Sequence, residues 1–595
     1  MDGLFVEYTG KTTAKCVAAI DFGTSGTSYA YAFPPRNGEL NARTDVYTNG
    51  QWEDGSTGKT KTILLLDDEN NFIAFGGHAE NKYKVLAVHK SGKYFRFFKM
   101  QLYTEKITGN FMIKPLDGES VSAKLVFQRC LEYLKEGKFN SDSTNYIFTQ
   151  VIDNSVISTV IALLKQIQME DRKVSSSDIK WVLTVPAIWN DAAKQIMSEA
   201  AETAGLVNVG GNRVQLALEP EAASLWCLRN GELNLEHGDR YVVLDCGGGT
   251  IDVTVHEKIA GMAGDSLKEM ALAKGGDWGS TTIDRRILRM LKDIFGNRRY
   301  NAMTEDLHGY MNLQRDIESA KIAFDSETDV VLNLPDTLMS QTYTEVSPEE
   351  AVEKYQNANG NVDLIFRKPN LLIPATYFRD KLIWPTIQQI YTHTLAVLNR
   401  NPSVSRLILA GNFANSRILR DEMMKFESRG IKVVVPHLPG ETVVKGAVLF
   451  GANPGLISER LSRFTYGIGT VVPFVTGKHP ESKLIITSFG ERFCNGVFNT
   501  FITEGEECVL GHTVEKPFTT LEPYQHIVGV NIYKSRRKNV TYTEEAGVTN
   551  IGRVAIRIRK PFESVKVIML LTTEIVAKAI NEDGEEREVT LKFNE

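Results

Sequence analysis

Cysteine is scarce in this chain, six in 595 residues, and no two of them form a CxxC pair. Several of the six sit inside apolar runs, and the expectation is buried free thiols in a reducing compartment. No stretch approaches the roughly eighteen apolar residues of a membrane-spanning helix. The opening MDGLFVEYTGKTTAKC has no cationic lead and no apolar core of signal-peptide length, so the expectation is a cytoplasmic protein with no membrane span. Excess positive charge is missing too: 68 Lys and Arg against 73 Asp and Glu leave a formal net charge of -5. Nucleic acid is therefore not the expected partner, since phosphate-backbone binding needs a clustered basic face. The one basic run, Lys534 to Lys538, reads as a solvated loop.

What remains is a soluble globular composition, 42% hydrophobic and 24% charged, in a chain long enough for several domains. One stretch stands out, YVVLDCGGGTIDVTVHE, from Tyr241 to Glu257. Val242, Val243 and Leu244 predict a buried strand; Ile251, Val253 and Val255, alternating with Asp252, Thr254 and His256, predict a half-buried one. The tip between them lacks the Asn-Gly or Asp-Gly pair of an economical hairpin, and three glycines carry a large entropic cost for a mere reversal. CVAAIDFGTSGTSYAYAF, from Cys16 to Phe33, has the same grammar: a buried strand ending in Asp21, then Gly23, Thr24, Ser25, Gly26 and Thr27, then Tyr29, Tyr31 and Phe33 alternating with small residues. Taken singly, either glycine run serves as a structural turn. Two of them, each behind an aspartate, predict an α/β fold in which a duplicated domain closes around a cleft.

Between the hairpins, IKWVLTVPAIWNDAAKQIMSEAAETAGL predicts a strand ending at Pro186 and a helix capped by Asn190 and ended by Gly205. Trp189, Ala193, Ile196, Met197, Ala200 and Ala204 give that helix an apolar stripe. Helical patterns also cover 281–296, 311–324 and 376–400, whereas 325–370 is polar and reads as an irregular inserted region. From about Asn453 short strands take over, at 483–488, 526–533, 551–558 and 565–572. The expected organisation is a nucleotide-binding unit over 1–452 and a smaller β-rich unit over 453–595.

Successive glycine amides can point into one concavity and admit a phosphate closely, so two facing tips would clamp a polyphosphate. Asp21 and Asp245 would then face the same phosphates, which calls for a divalent cation between them, Mg²⁺ held largely through waters. Rival motifs fail. GKT occurs at Gly10 and Gly58, but Phe5 and Glu53 stand where GxxxxGK[ST] needs glycine, and the Gly23 and Gly247 runs lead into strands rather than helices.

The strings AIDFGTSGTSYAYAF, WVLTVPAIWNDAAKQ, LALEPEAASLW, VVLDCGGGTIDVTVHE and ETVVKGAVLFGANP resemble the actin, sugar-kinase and 70-kDa heat-shock superfamily, and within it the heat-shock family. FFKMQLY and FTYGIG bring the wording nearest to that family's divergent 12A/12B branch. The resemblance spans nearly the whole chain and implies an actin-like ATPase fold of two lobes, binding ATP or ADP with Mg²⁺. It places Gly23, Thr24 and Ser25 in the first phosphate motif, and Gly247, Gly248, Gly249 and Thr250 in the second. Asp21, Asp245 and Asp252 take the metal-side positions, with Lys99, Glu219 and Thr250 as the catalytic set. Lys99 would meet the γ-phosphate and Glu219 would orient water. Without the family, Lys99 is an ordinary surface lysine and Glu219 a helix-start acid before Pro220. Glu318 and Lys321 of ESAK would lie along the ribose and adenine, and Gly411 and Asn412 of LILAGNFANSR in the adenosine motif.

Four positions depart from the family. Asn412 replaces a second glycine, Ile322 replaces an arginine that stacks on adenine, Glu221 replaces a small residue, and Lys194 stands for an arginine used in coupling two domains. Arg and Lys are not interchangeable there. The resemblance implies a slowly hydrolysing ATP switch or divergent chaperone, with a protein or peptide partner on the C-terminal β unit and no visible helical lid. A non-hydrolysing scaffold and a small-molecule kinase of the same superfamily stay open, as does an actin-like filament former.

Overall fold

Each aspartate–glycine hairpin seeds its own sheet. Cys16–Phe22 pairs antiparallel with Gly26–Ala32, while Ile179–Val185 and then Gln215–Leu218 add in parallel on the other side. Arg240–Cys246 likewise pairs antiparallel with Ile251–Gly261 and parallel with Val404–Ala410, beyond which lies Lys432–Val434. Val46–Thr48 extends the first sheet antiparallel past Gly26–Ala32, as Gly264–Gly276 extends the second past Ile251–Gly261. Strand order and sense therefore repeat from one sheet to the other. The computed structural model describes residues 12–136 and 174–589, except 36–39, 44, 49, 53, 90, 108, 175, 209–212, 262–263, 361 and 524. Residues 1–11 and 590–595, on which the leader reading and the reading of the chain end rest, lie outside the described residues.

Two helices join the sheets. Glu219–Arg229 follows directly on Gln215–Leu218, and Thr442–Ala452 packs across it so closely that a Cβ on Gly446 would collide with the Ala222 backbone. Small residues make that approach possible. Val17, Ala19 and Val182 of the first sheet, Val243, Ile408 and Ala410 of the second, and Ala222, Val444 and Val448 of the helices form one buried cluster. The other face of the first sheet packs Phe22, Phe98, Phe127 and Trp181, and the second sheet covers its far side with Ile283, Ile287 and Ile387.

Covering on both faces corrects the expectation for Ile251–Gly261. Asp252, Thr254 and His256, read as its solvent side, are 1–2% exposed, because tertiary contacts shelter the polar half of the alternation as well. The helix Asp191–Thr203 forms where its signals put it: Asn190 Oδ1 accepts from Ala193 N at 2.8 Å, and Gly205 turns out with φ +76°. The pattern at 376–400 resolves into a π-helical turn, Phe378–Ile383, ahead of the helix Trp384–Arg400.

The described residues of 325–370 form regular elements, where the polar pattern predicts an irregular region. Val330–Asn333, Ile365–Arg367 and Asn370–Ile373 make a small antiparallel sheet. Ser347 caps the helix Pro348–Ala358 by accepting from Glu350 N at 3.0 Å, so a cap and a first-turn proline set a helix with little apolar pattern. Lys534 is also not in a solvated loop: it lies within the strand Ile527–Ser535, 5% exposed, over the Phe464 ring and 3.4 Å from Asp191.

Beyond Asn453 the described chain is strands, with 3₁₀ turns at Pro454–Leu456 and Glu481–Lys483. Ile457–Leu461 and Glu507–Val509 join the edge of the second sheet, while the remaining strands form a five-stranded and a four-stranded antiparallel sheet. Tyr466, Ile532, Val567 and Met569 of these strands share a buried cluster with Trp181 and Ala193. Among the described residues, no helix is long and apolar enough to cross a membrane.

Candidate functional site

The two hairpin tips have one geometry. Gly23 N–H donates to the Gly26 carbonyl at 3.1 Å and Gly247 N–H to the Thr250 carbonyl at 3.0 Å. A Cβ at either first glycine would press on that carbonyl, 2.5 Å away at Gly23 and 2.9 Å at Gly247, which is why glycine stands at both. The tips also meet. A Cβ on Gly248 would lie 2.9 Å from Ser25 Cβ, and one on Gly249 would lie 2.6 Å from Thr24 Oγ1 and 2.9 Å from Met100 Cγ. A third glycine run, Gly275, Gly276 and Gly279, carries no motif in the sequence beyond its place just before the 281–296 pattern. It brings the start of the helix Thr281–Glu305 against the second tip, with Gly279 N donating to Gly249 O at 3.0 Å and Thr281 N to Gly248 O at 2.9 Å.

Carboxylates gather beneath the tips. Asp245 and Asp252 are directly opposed across the second hairpin. Asp252 Oδ1 accepts from Ile188 N at 2.8 Å, and Asp21 Oδ1 accepts from Thr184 Oγ1 at 2.9 Å. Glu219, at the start of its helix, accepts from the buried Lys99 ammonium at 2.9 Å, and that ammonium also sits 5.0 Å over the Trp189 ring. Burial, then repulsion from Glu219, Asp252 and Asp21, drives Asp245 well above the usual carboxylate range. Burial and then Glu219 push Asp252 to about 7. Burial also raises Glu219, against the pull of Lys99.

Lys59 completes this floor and was missed. Its Nζ donates to Asp21 Oδ2 at 2.5 Å, and although burial opposes its charge, Asp21, Asp245 and Glu219 hold its pKa above the ordinary lysine value. Gly58-Lys59-Thr60 fails the spacing of a phosphate loop and runs into the strand Thr60–Lys61, so nothing in the motif itself points to the destination of its lysine.

The remaining predicted residues line up less tightly. Gly411, φ +81°, backs onto the cluster: a Cβ there would lie 2.5 Å from Asp245 Oδ1. Asn412 is exposed, and its Oδ1 accepts from Asn415 Nδ2 at 3.2 Å. Glu318 is engaged by Arg96 and Lys61, both at 3.3 Å, and Lys321 by Asp284 at 2.5 Å, while Ile322 is 78% exposed.

Glu221 and Lys194 face the C-terminal strands. The Arg460 guanidinium grips the Glu221 carboxylate and donates to Thr573 Oγ1 at 3.0 Å; Thr573 Oγ1 in turn donates to Leu216 O at 2.7 Å. Lys194 Nζ donates to Thr573 O at 3.3 Å, and burial, then Arg463, lowers its pKa to about 8. Arg463 donates to the Ala187 and Trp189 carbonyls.

Whether the aspartates suit a divalent ion is a question of donor arrangement. Among the described residues, no three His, Cys, Asp or Glu side chains are placed to hold a metal together, and Lys59 occupies Asp21. As arranged, Asp21, Asp245 and Asp252 do not fit direct coordination of Mg²⁺. A separate groove of about 510 Å³, lined by Trp278, Pro385, Gln388, Thr392 and His393, contains none of the site residues.

Residues 131–359 match the family described as Hsp70 protein. Heat shock 70 kDa protein 12A of Mus musculus is 30% identical over a 643-residue alignment that covers 95% of this chain and 89% of that protein. The 12A protein of Homo sapiens is 30% identical, and the human 12B protein 29%, each over 91% of this chain and 84% of the relative.

Proposed function

This chain belongs to the 70-kDa heat-shock protein family, and from that premise we propose that it is an ATP-binding, slowly hydrolysing switch whose nucleotide lies between the two hairpin tips. One observation carries the reading: two identical glycine reversals abut directly above a buried Lys99–Glu219 pair and the carboxylates Asp21, Asp245 and Asp252. In this account the backbone amides of Gly23 to Ser25 and Gly247 to Thr250 take the phosphate oxygens, and Lys99 stabilises charge on the γ-phosphoryl group. Glu219 orients a water for in-line attack. The water oxygen bonds to the γ-phosphorus, the β,γ-bridging P–O bond breaks, and the proton passes to Glu219, whose raised pKa suits it to accept one. Glu318, Lys321, Gly411 and Asn412 flank the nucleoside. No step here runs through a metal.

Each sheet would form the floor of one lobe within 1–452, with 453–595 as a β unit that takes a protein or peptide partner. Arg460, Arg463 and Lys534 hold that unit to the Asp191–Thr203 and Glu219–Arg229 helices and to the segment just before Asp191, so movement of Glu219 would reach it through Glu221. Calorimetric titration with ATP, followed by ADP production in wild type and Glu219→Ala, tests the reading. Binding with turnover that falls in the variant supports it. Binding with equal, negligible ADP in both leaves a scaffold, and no binding overturns it.

A further inference from the structure

Lys59 is placed in the carboxylate cluster by a built turn. Its neighbour Thr60 pairs with Thr27 and donates to Asp54 Oδ2 at 2.5 Å, while Asp54 also accepts from Ser56 N and from Gly77 N. Trp52 Nε1 holds the Gly58 carbonyl at 3.2 Å, and Gly58, φ +69°, turns the chain beside Glu441. The stem of Lys59 lies along the first hairpin, where a Cβ on Gly26 would stand 3.4 Å from Lys59 Cβ and 3.5 Å from Cδ. Its head thereby meets Asp21 and faces Asp245 and Glu219, side chains contributed by two separate strands and a helix.

We propose that the Lys59 ammonium is the resident counter-cation of the Asp21, Asp245 and Glu219 cluster, so that a nucleoside polyphosphate binds this cleft without a divalent metal. The inference rests on the nucleotide reading above. An ammonium has three donors, and Asp21 takes one of them, leaving two for phosphate oxygens. A metal seeking Asp21 must first displace a charge-assisted hydrogen bond and then stand beside a fixed positive charge. Among the described residues no carboxylate set is placed to hold a metal, and the Lys59 ammonium at Asp21 supplies the positive charge that a metal would otherwise bring.

The test compares ADP titrations of the full chain in EDTA and in excess Mg²⁺. Wild type is expected to bind within about threefold in the two conditions, and Lys59→Gln to lose about tenfold or more in EDTA and recover it with Mg²⁺. Mn²⁺ titration of the nucleotide-free chain, followed by electron paramagnetic resonance, gives an independent readout. Wild type should show no tight site, and Lys59→Gln should gain one. Wild-type binding that requires Mg²⁺, or a tight Mn²⁺ site in wild type, overturns the proposal while sparing the nucleotide reading. No ADP binding in either condition overturns both. Should Lys59→Gln fail to fold, the wild-type arms still decide.

Discussion

Arg460 holds Glu221 through Nε at 2.8 Å and Nη2 at 2.6 Å, two positions along the helix from Glu219 and 239 residues away in sequence. Both side chains are about 6% exposed, so neither charge has water as an alternative partner. Arg460→Ala strands a buried carboxylate and is expected to destabilise by about 3–5 kcal/mol, while Arg460→Met with Glu221→Leu should recover most of that loss. Urea unfolding of the three proteins measures it; equal stability of wild type and Arg460→Ala would show the pair to be energetically idle.

Lys99→Met removes the partner of Glu219 from a site that is 2% exposed at the lysine. Without that attraction the Glu219 pKa rises further, so the acidic limb of the turnover-pH profile should move to higher pH. Turnover at neutral pH should fall by roughly a hundredfold with the fold retained. An unmoved acidic limb would separate Glu219 from the titration.

Gly249→Ala drives a methyl group into Met100 and Thr24 at the meeting of the tips. Expected is a stability loss of about 1–3 kcal/mol, with nucleotide affinity down by an order of magnitude or more. Differential scanning calorimetry and ATP titration read the two effects separately, and unchanged affinity would place the phosphates away from this tip.

Ile322 is 78% exposed and Asn412 is exposed, so both can be exchanged without disturbing a core. Ile322→Arg with Asn412→Gly should tighten ATP by on the order of tenfold, the worth of a cation–π contact of ~1.4 kcal/mol. Unchanged or weaker binding in titration calorimetry would mean that adenine sits elsewhere.

His256 gives a pH signature. It is 1% exposed with neither ring nitrogen bonded, beside Tyr241 and within the fields of Glu221 and Arg460, and burial lowers its pKa from 6.5 to about 4. The unfolded chain takes up its proton below pH 6.5 while the folded one resists until about 4. Stability from neutral His256 is thus complete above 6.5 and is lost as pH falls through that window. His256→Phe should flatten the wild-type decline by on the order of 2–3 kcal/mol between those values. Parallel urea curves at pH 7 and 4.5 would refute the assignment.

What could be read ahead of the structure was whatever is local. An aspartate closing an apolar run before glycines, or Asn190 three residues before an amide it caps, announces itself within a few positions. Partnerships across the chain do not. Lys59 looked like part of a failed loop motif because nothing near it shows that Asp54 and Trp52 aim its stem at Asp21. His256 alternated as a solvent-facing residue should, yet alternation cannot report a second layer of protein packed on that face. Ser347 and Pro348 were a readable helix start inside 325–370, passed over because the segment around them is so polar.

The buried thiols have a practical consequence. Cys16, Cys130, Cys227, Cys246, Cys494 and Cys508 are all buried, and burial pushes Cys130, Cys227 and Cys246 well above the ordinary thiol range. Thiolate is the reactive form, so these groups are poor targets for maleimides under native conditions. The natural chain is therefore close to a blank background for site-directed labelling. Two cysteines introduced at exposed positions flanking the hairpin tips, one before each sheet, would accept a donor and acceptor dye with no prior removal of native residues. Energy transfer between them would report whether nucleotide changes the separation of the tips in single molecules, with the native core left as it folded.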